Sequence, residues 1–193
     1  LMILAAGAST RLGRPKQLLE YRQKSLLRHA VETAIDSRCN RVVVVLGGNS
    51  EKMISELKGL AVLSVTNPEW ESGMSSSIRA GLKTLVANEP SMEGVMIMLC
   101  DQPLLSTDTI NRMIDRFRQT GNGIVASEYG GTIGVPALFS RTYLSELESL
   151  GDKSGAKQLL KRYAAEVAKV PFPEGEFDID VEDDYERLKA WQK

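Results

Sequence analysis

The chain has 193 residues, 42% of them hydrophobic and 25% charged, with 24 Lys and Arg set against 25 Asp and Glu. That length fills one core and is short for two independent ones, and a net charge of -1 leaves no basic excess to hold a nucleic-acid backbone. The apolar runs, such as residues 42–46 and 95–100, are strand-sized and far short of a bilayer span, so neither nucleic acid nor membrane is an expected partner.

The numbering begins at Leu1, without an initiator Met and already inside an apolar run, so native residues are expected ahead of it; no signal peptide is visible. Residues 1–5 read as a buried strand that breaks into the small residues Ala5, Ala6, Gly7, Ala8 and Ser9. Without bulky side chains, this stretch lets an anionic ligand approach backbone N–H groups, and Arg11 and Lys16 add fixed positive charge, as a triphosphate requires. It is neither of the two commonest phosphate loops. Gly7 and Gly13 are six apart, Lys16 follows no glycine directly, no Ser or Thr directly follows it, and there is no G-x-G-x-x-G. The glycines alone fit a plain surface loop equally well.

Residues 25–37 carry Leu26, Leu27, Ala30, Val31, Ala34 and Ile35 on one helical face, with His29 read as a helix-surface or edge residue. Residues 41–46 form a β-branched run that suits a parallel strand buried on both faces, stopped by Gly47 and Gly48. A short helix capped by Ser50 and running to about residue 58, a strand at 60–65, a loop at 66–73 with Pro68 and Trp70, and a helix at 74–86 follow. Residues 94–100 are a fourth apolar strand ended abruptly by Asp101-Gln102-Pro103. Residues 107–119 are a helix with Ser106 or Thr107 as N-cap and Gly121 just past its end. Next come a strand at 123–128, a turn-rich loop at 130–136, a short strand at 137–139, helices at 141–150 and 154–165, an extended stretch at 167–170 and a closing helix at 183–192.

Strands alternating with helices predict an α/β protein: a three-layer α/β/α sandwich with a Rossmann-like, mostly parallel sheet, in a single domain over residues 1–193. Cys39 and Cys100 are 61 positions apart with no C-x-x-C, which argues against zinc and for free thiols in a reducing, cytoplasmic setting. One histidine leaves little material for a Ser-His-Asp triad or a His-rich metal site.

Open sheets of this kind bind ligands beyond the carboxyl ends of their strands, where strand order reverses. That selects the glycine-rich opening and the loop that begins with Asp101. If strands one and four are neighbours, the carboxylate lies close to the bound phosphates. A charged Asp at the tip of a buried strand needs hydrogen bonds or a cation. Mg²⁺, which takes one or two carboxylates and completes its shell with water and phosphate oxygens, fits Asp101, as does a plain turn cap for Gln102-Pro103. Met96 and Met98 read as core, Trp70 as reaching the cleft, and Glu182-Asp183-Asp184 as helix-dipole acids without chemistry.

Leu4-Ala5-Ala6-Gly7-x-Ser9-x-Arg11-Leu12-Gly13-x-Pro15-Lys16, taken with Leu99-Cys100-Asp101-Gln102-Pro103, resembles the MobA-like nucleotidyltransferases, most closely their molybdenum cofactor cytidylyltransferase branch. Gly73-Met74-Ser75-Ser76-Ser77-Ile78, Gly151-Asp152-Lys153-Ser154-Gly155-Ala156 and Phe177-Asp178-Ile179-Asp180 extend the resemblance over essentially the whole chain. Guanylyl-transferring relatives tend to carry two adjacent glycines and an Asp-Lys pair where Ala6-Gly7 and Pro15-Lys16 stand here, which favours cytidine. Many cytidylyltransferases of the branch place a His where this chain has Val135 in Gly134-Val135-Pro136, a difference that fits either a changed acceptor or a plain turn.

The resemblance implies transfer of CMP from CTP to the terminal phosphate of a molybdopterin-type cofactor, with Mg²⁺ as the metal and a molybdenum hydroxylase apoenzyme as a further partner. Arg11, Lys16 and Asp101 would be catalytic, and Asp101 and Asp180 would hold the metal. Leu4, Ala5, Ala6, Gly7, Ser9, Arg11, Lys16, Asn67, Ser72, Gly73 and Ser75 would bind the nucleotide, with Ser75 also available to cap the helix behind it. Two alternatives stand beside this one: transfer to a sugar or polyol phosphate or from GTP, and a non-catalytic carrier that inserts the cofactor into a hydroxylase.

Overall fold

The computed structural model describes residues 1–48, 50–152 and 154–191. In chain order the elements are β1 Met2–Ala5, β2 Glu20–Tyr21, β3 Lys24–Ser25, α1 Leu26–Ile35, β4 Val43–Leu46, α2 Ser50–Glu56, β5 Leu63–Thr66, α3 Met74–Asn88, β6 Gly94–Leu99, α4 Thr107–Thr120, β7 Ile124–Tyr129, β8 Thr132–Ser140, α5 Leu144–Glu148, α6 Ala156–Arg162, β9 Ala168–Pro171 and α7 Glu182–Ala190. Seven strands make one sheet in the order β5-β4-β1-β6-β8-β7-β9, and β2 and β3 form a separate small ribbon.

All neighbouring pairs in the main sheet are parallel except the two that β8 makes, with β6 and with β7. The period-two alternation of β1 sends Ile3 and Ala5 to one face, with α1, α2 and α4, and Met2 and Leu4 to the other, with α3, α5 and α6. The sheet is therefore buried on both sides, as the β-branched run of β4 requires. A third cluster packs Phe177, Ile179 and Leu188 from the end of the chain against Leu19, Tyr21 and Leu26.

The α4 boundaries follow their caps: Ser106 Oγ accepts from the Thr109 N–H, and Gly121 closes the helix in the left-handed region at φ 66°. One expectation is overturned. Residues 130–136 are not a loop; only Gly130 and Gly131 turn, at φ 54° and 69°, and the chain then enters the nine-residue β8. Two consecutive positive-φ glycines make the tight connection of a hairpin, and Gly134 and Pro136, which looked like loop residues, belong to the antiparallel strand that follows it. The closing helix starts one residue earlier than the pattern suggested, and its expected last residue, Gln192, lies outside the described residues, as does Lys153.

Candidate functional site

Strands β1 and β6 are adjacent in register, with Leu4 beside Leu99, and β1 connects through α1 to β4 on its other side. Strand order reverses at this pair, so the loop leaving Ala5 and the loop leaving Leu99 face each other across the carboxyl edge. Between them opens a cleft of about 340 Å³, whose lining includes Ala6, Gly7, Lys16, Trp70, Gly73 and Asp101. A cavity of similar size, about 350 Å³, lies at the opposite edge around Arg38, Arg41 and Met96, where this sheet type does not bind ligands.

The opening loop is folded by its own polar residues. Ser9 adopts φ 53°, and its carbonyl accepts from the N–H groups of Leu12 and Gly13. Ser9 Oγ accepts from the Lys16 N–H at 3.1 Å, which folds the loop back onto the 3-10 turn Lys16–Leu18. Gln17, fully buried, donates from Nε2 to the carbonyls of Ala5 (2.9 Å) and Gly7 (2.8 Å). Sequence reasoning assigned Gln17 no role, although a polar residue between Lys16 and the apolar Leu18-Leu19 was the available signal.

Lys16 Nζ joins three segments: it donates to Asp101 Oδ2 at 2.6 Å, to the Ile179 carbonyl at 3.0 Å and to Asp180 Oδ1 at 3.0 Å. Burial by itself would lower the Lys16 ammonium, but Asp101 and Asp180 outweigh it and hold it above its ordinary value. Asp180 is pulled up by burial and, more strongly in sum, down by Lys16 and Arg11, so its carboxyl ends below the usual range. Burial raises Asp178, and the charges of Asp101 and Asp180 raise it further. The Cys100 thiol, buried and beside Asp101, is pushed up to about 12.

The expected residues divide by position. Leu4, Ala5, Ala6, Gly7, Lys16, Gly73 and Asp101 line the cleft. Ser9 is not part of the lining and spends its Oγ on the Lys16 N–H, and Arg11 is exposed with Nη2 at 2.6 Å from Asp180 Oδ2. Asn67 is buried beneath the start of α3, donating to Ser76 Oγ and Ser77 Oγ, while Ser72 is exposed and Ser75 buried. Ser75 does not cap α3: Gly73 is the N-cap, and Ser76 Oγ bonds the Gly73 carbonyl. Trp70 reaches the cleft as expected, but Met74 lines it too. The Trp70 side chain packs against Gly47 and Gly48: a Cβ at Gly47 would come within 2.9 Å of the ring and would also collide with the Ala6 carbonyl, and one at Gly48 would lie 3.2 Å from the ring.

The segment carrying Asp180 is not a strand of the sheet; the Ile179 N–H donates to the Asp101 carbonyl, and the Ile179 side chain enters the third cluster. Asp184 Oδ2 accepts from the N–H groups of Asp180 and Val181, which fixes Asp180 at the entrance to α7. Glu182, for which no chemistry was expected, pairs with Arg14. Gln102, also unassigned from sequence, donates to the carbonyls of Val135 and Gly175, so residue 135 meets the region behind Asp101 through its backbone.

A family model described as the MobA-like NTP transferase domain matches residues 1–167. The chain belongs to this family. The MobA-like chain is 36% identical over 141 residues to nicotine blue oxidoreductase of Paenarthrobacter nicotinovorans, a match covering 72% of this chain and 66% of that protein, just under two thirds of its length. It is 23% identical to the molybdenum cofactor cytidylyltransferase of Escherichia coli K12, over 95% of this chain and 92% of that one. Among solved structures, Rv0371c of Mycobacterium tuberculosis H37Rv superposes with a TM-score of 0.80 at 33% identity, covering 98% and 96% of the two chains. A complex of Rv0371C with manganese superposes at 0.75 with 30% identity, covering 97% and 95%. Within the MobA-like chain the family match ends before Asp180, so the segment that approaches Lys16 lies beyond it.

Proposed function

We propose that this chain is a nucleotidyltransferase that moves CMP from CTP to the terminal phosphate of a molybdopterin-type acceptor and releases pyrophosphate. The observation that carries this reading is the meeting of Lys16, Asp101 and Asp180 at the edge of the glycine-rich loop. A phosphate acceptor is already ionised at neutral pH, so the chain needs positioning and charge neutralisation and no general base. Its oxygen attacks the α-phosphorus, and the bond from that phosphorus to the bridging oxygen of pyrophosphate breaks.

The two carboxylates fit a hard divalent cation. Asp101 Oδ1 is buried with no hydrogen-bond partner, and Asp101 and Asp180 each place an oxygen within 3.0 Å of Lys16 Nζ, around a position that favours positive charge. No group of three or more His, Cys, Asp or Glu among the described residues could hold a metal, so phosphate oxygens and water would complete the shell. Mg²⁺ held by Asp101 and Asp180 would supply Lewis-acid stabilisation of phosphate charge. The manganese complex of the 30% identical Rv0371C supports a divalent ion in this fold.

In this scheme the amides of residues 6–9 grip the phosphates, and Lys16 and Arg11 neutralise the charge that grows on the leaving pyrophosphate. Gly73, at the cleft wall ahead of α3, serves the base and ribose together with the neighbouring Ser72 and Ser75, and Asn67 braces this turn from beneath through Ser76 and Ser77. The cofactor would pass to a molybdenum hydroxylase apoenzyme in the cytoplasm. The deciding experiment mixes the protein with CTP, Mg²⁺ and molybdopterin cofactor and follows pyrophosphate. CTP-dependent release supports the reading, CTP binding without release favours the carrier, and release only with a sugar or polyol phosphate, or only with GTP, moves the substrate.

The 36% identity to a protein named as an oxidoreductase favours a second reading, in which the same cleft holds a nucleotide-containing redox cofactor. Electron transfer from a reduced nicotinamide or flavin nucleotide to a dye acceptor, with no pyrophosphate from CTP, would select it.

A further inference from the structure

Gln17 has no part in the reaction as written, yet it is 1% exposed at the wall of the cleft. A buried carboxamide is costly unless its hydrogens and oxygen are engaged. Both Nε2 hydrogens serve the opening loop, at the Ala5 carbonyl (2.9 Å) and the Gly7 carbonyl (2.8 Å), and Oε1 accepts from Ser9 Oγ at 3.4 Å. The same Ser9 Oγ accepts from the Lys16 N–H. Four residues of the loop and turn are thus joined in one hydrogen-bonded ring around a single side chain.

A trans peptide points its C=O and N–H in opposite directions. Turning the Gly7 carbonyl onto Gln17 therefore turns the Ala8 N–H away from it, and Gly7, Ala8 and Gln17 all line the cleft. A Cβ built at Gly7 meets nothing within 4 Å, so the chain's own atoms leave the approach to this peptide open. Leu at position 17 would offer no donor, and Glu would keep the shape while placing an acceptor against two carbonyl oxygens.

We propose that Gln17 is a positioning residue whose carboxamide holds the loop with its Ala8 amide presented to the phosphates, so that it sets affinity for the triphosphate and not for the nucleoside. This inference rests on the nucleotidyltransferase reading. Titration calorimetry with CTP and with cytidine, in the presence of Mg²⁺, on the wild type, Gln17→Leu and Gln17→Glu tests it. Both variants are expected to bind CTP about tenfold more weakly or worse, with cytidine affinity within about twofold of wild type. An equal loss for CTP and cytidine, or no loss for CTP, overturns the proposal. Should neither variant fold, amide NMR of the wild type titrated with pyrophosphate decides: a shifted Ala8 resonance supports the assignment, and an unmoved one overturns it. A wild-type protein that binds neither CTP nor pyrophosphate removes the functional reading itself, whereas wild-type binding with unchanged variants removes only this role for Gln17.

Discussion

Lys16→Met deletes the ammonium and keeps much of the apolar stem. In the wild type that ammonium is 2.6 Å from Asp101 Oδ2 and 3.0 Å from Asp180 Oδ1, and the Lys16 side chain is 14% exposed against 12% and 30% for the two partners. Removing one member of a fully buried ion pair costs about 3–5 kcal/mol, because the remaining charge loses its compensation. With Asp180 partly solvated, the lower end applies, about 3 kcal/mol. For a chain of this size that lowers the melting temperature by about 6–12 °C. The same substitution leaves two carboxylates facing a position that a divalent cation can take without displacing an ammonium. Mg²⁺ at millimolar concentration should therefore raise the melting temperature of Lys16→Met more than that of the wild type, by preferential binding to the folded state. Scanning calorimetry with and without Mg²⁺, free of nucleotide, measures both effects. A variant that melts with the wild type, or an equal Mg²⁺ shift in the two proteins, would refute the reasoning. If the proposed transfer holds, turnover of the variant should fall by about a hundredfold or more whatever the metal concentration, since the proposed role of Lys16 is to neutralise the departing pyrophosphate.

Asp178→Asn should raise the melting temperature slightly at neutral pH, because the folded state lifts the Asp178 pKa; lowering pH through the window between the ordinary carboxylate value and that raised value stabilises the wild type through this group, and the variant should lose that gain in a pH-dependent calorimetric scan. His29 gives the opposite slope: burial lowers its pKa, so the unfolded state binds the proton first and stability is lost as pH falls below about 6.5, a loss that His29→Gln should reduce. Ellman's reagent at pH 8 should react with Cys39 in the native protein, while Cys100, buried with its thiol pKa pushed up to about 12, reacts only after denaturation. CTP with Mg²⁺ should stabilise the wild type more than GTP or ATP at equal concentration, and a larger shift with GTP would reassign the donor.

The central half of the fold was legible because its signals are local. The β-branched run of β4, the apolar run of β6 and the caps of α4 each carry their own explanation within a few residues. The first part of β8 reads as a loop in the sequence, with only residues 137–139 strand-like, because its breakers are real but do a different job: Gly130 and Gly131 make the turn, and Gly134 leaves room for the Tyr129 hydroxyl, which lies where a Cβ would be. In the site, Lys16 and Asp101 could be joined by the rule that loops meet where strand order reverses, which the β1–β6 pairing satisfies. Asp180, 164 residues from Lys16, was reached by resemblance alone, since no periodicity reports so distant a contact. Gln17 escaped both routes, because its one signal, a polar residue ahead of the apolar Leu18-Leu19, does not say which backbone carbonyls the side chain will bond.

The third hydrophobic cluster has a consequence for the order in which the molecule comes together. Phe177, Ile179 and Leu188 dock on Leu19, Tyr21 and Leu26, so the two ends of the described chain are sewn to each other beside the cleft. Chains emerge from the ribosome from the amino end, and the seven-stranded sheet is complete once β9 has been made. A nascent chain, or one clipped after β9, can therefore own the whole sheet, the glycine-rich opening loop and Asp101 while Lys16 still lacks Asp180 and the Ile179 carbonyl. Limited proteolysis between β9 and Asp180, with the released peptide removed, should accordingly leave the sheet folded and Lys16 without its second carboxylate, which makes the segment carrying Asp180 a late-added component of the candidate site.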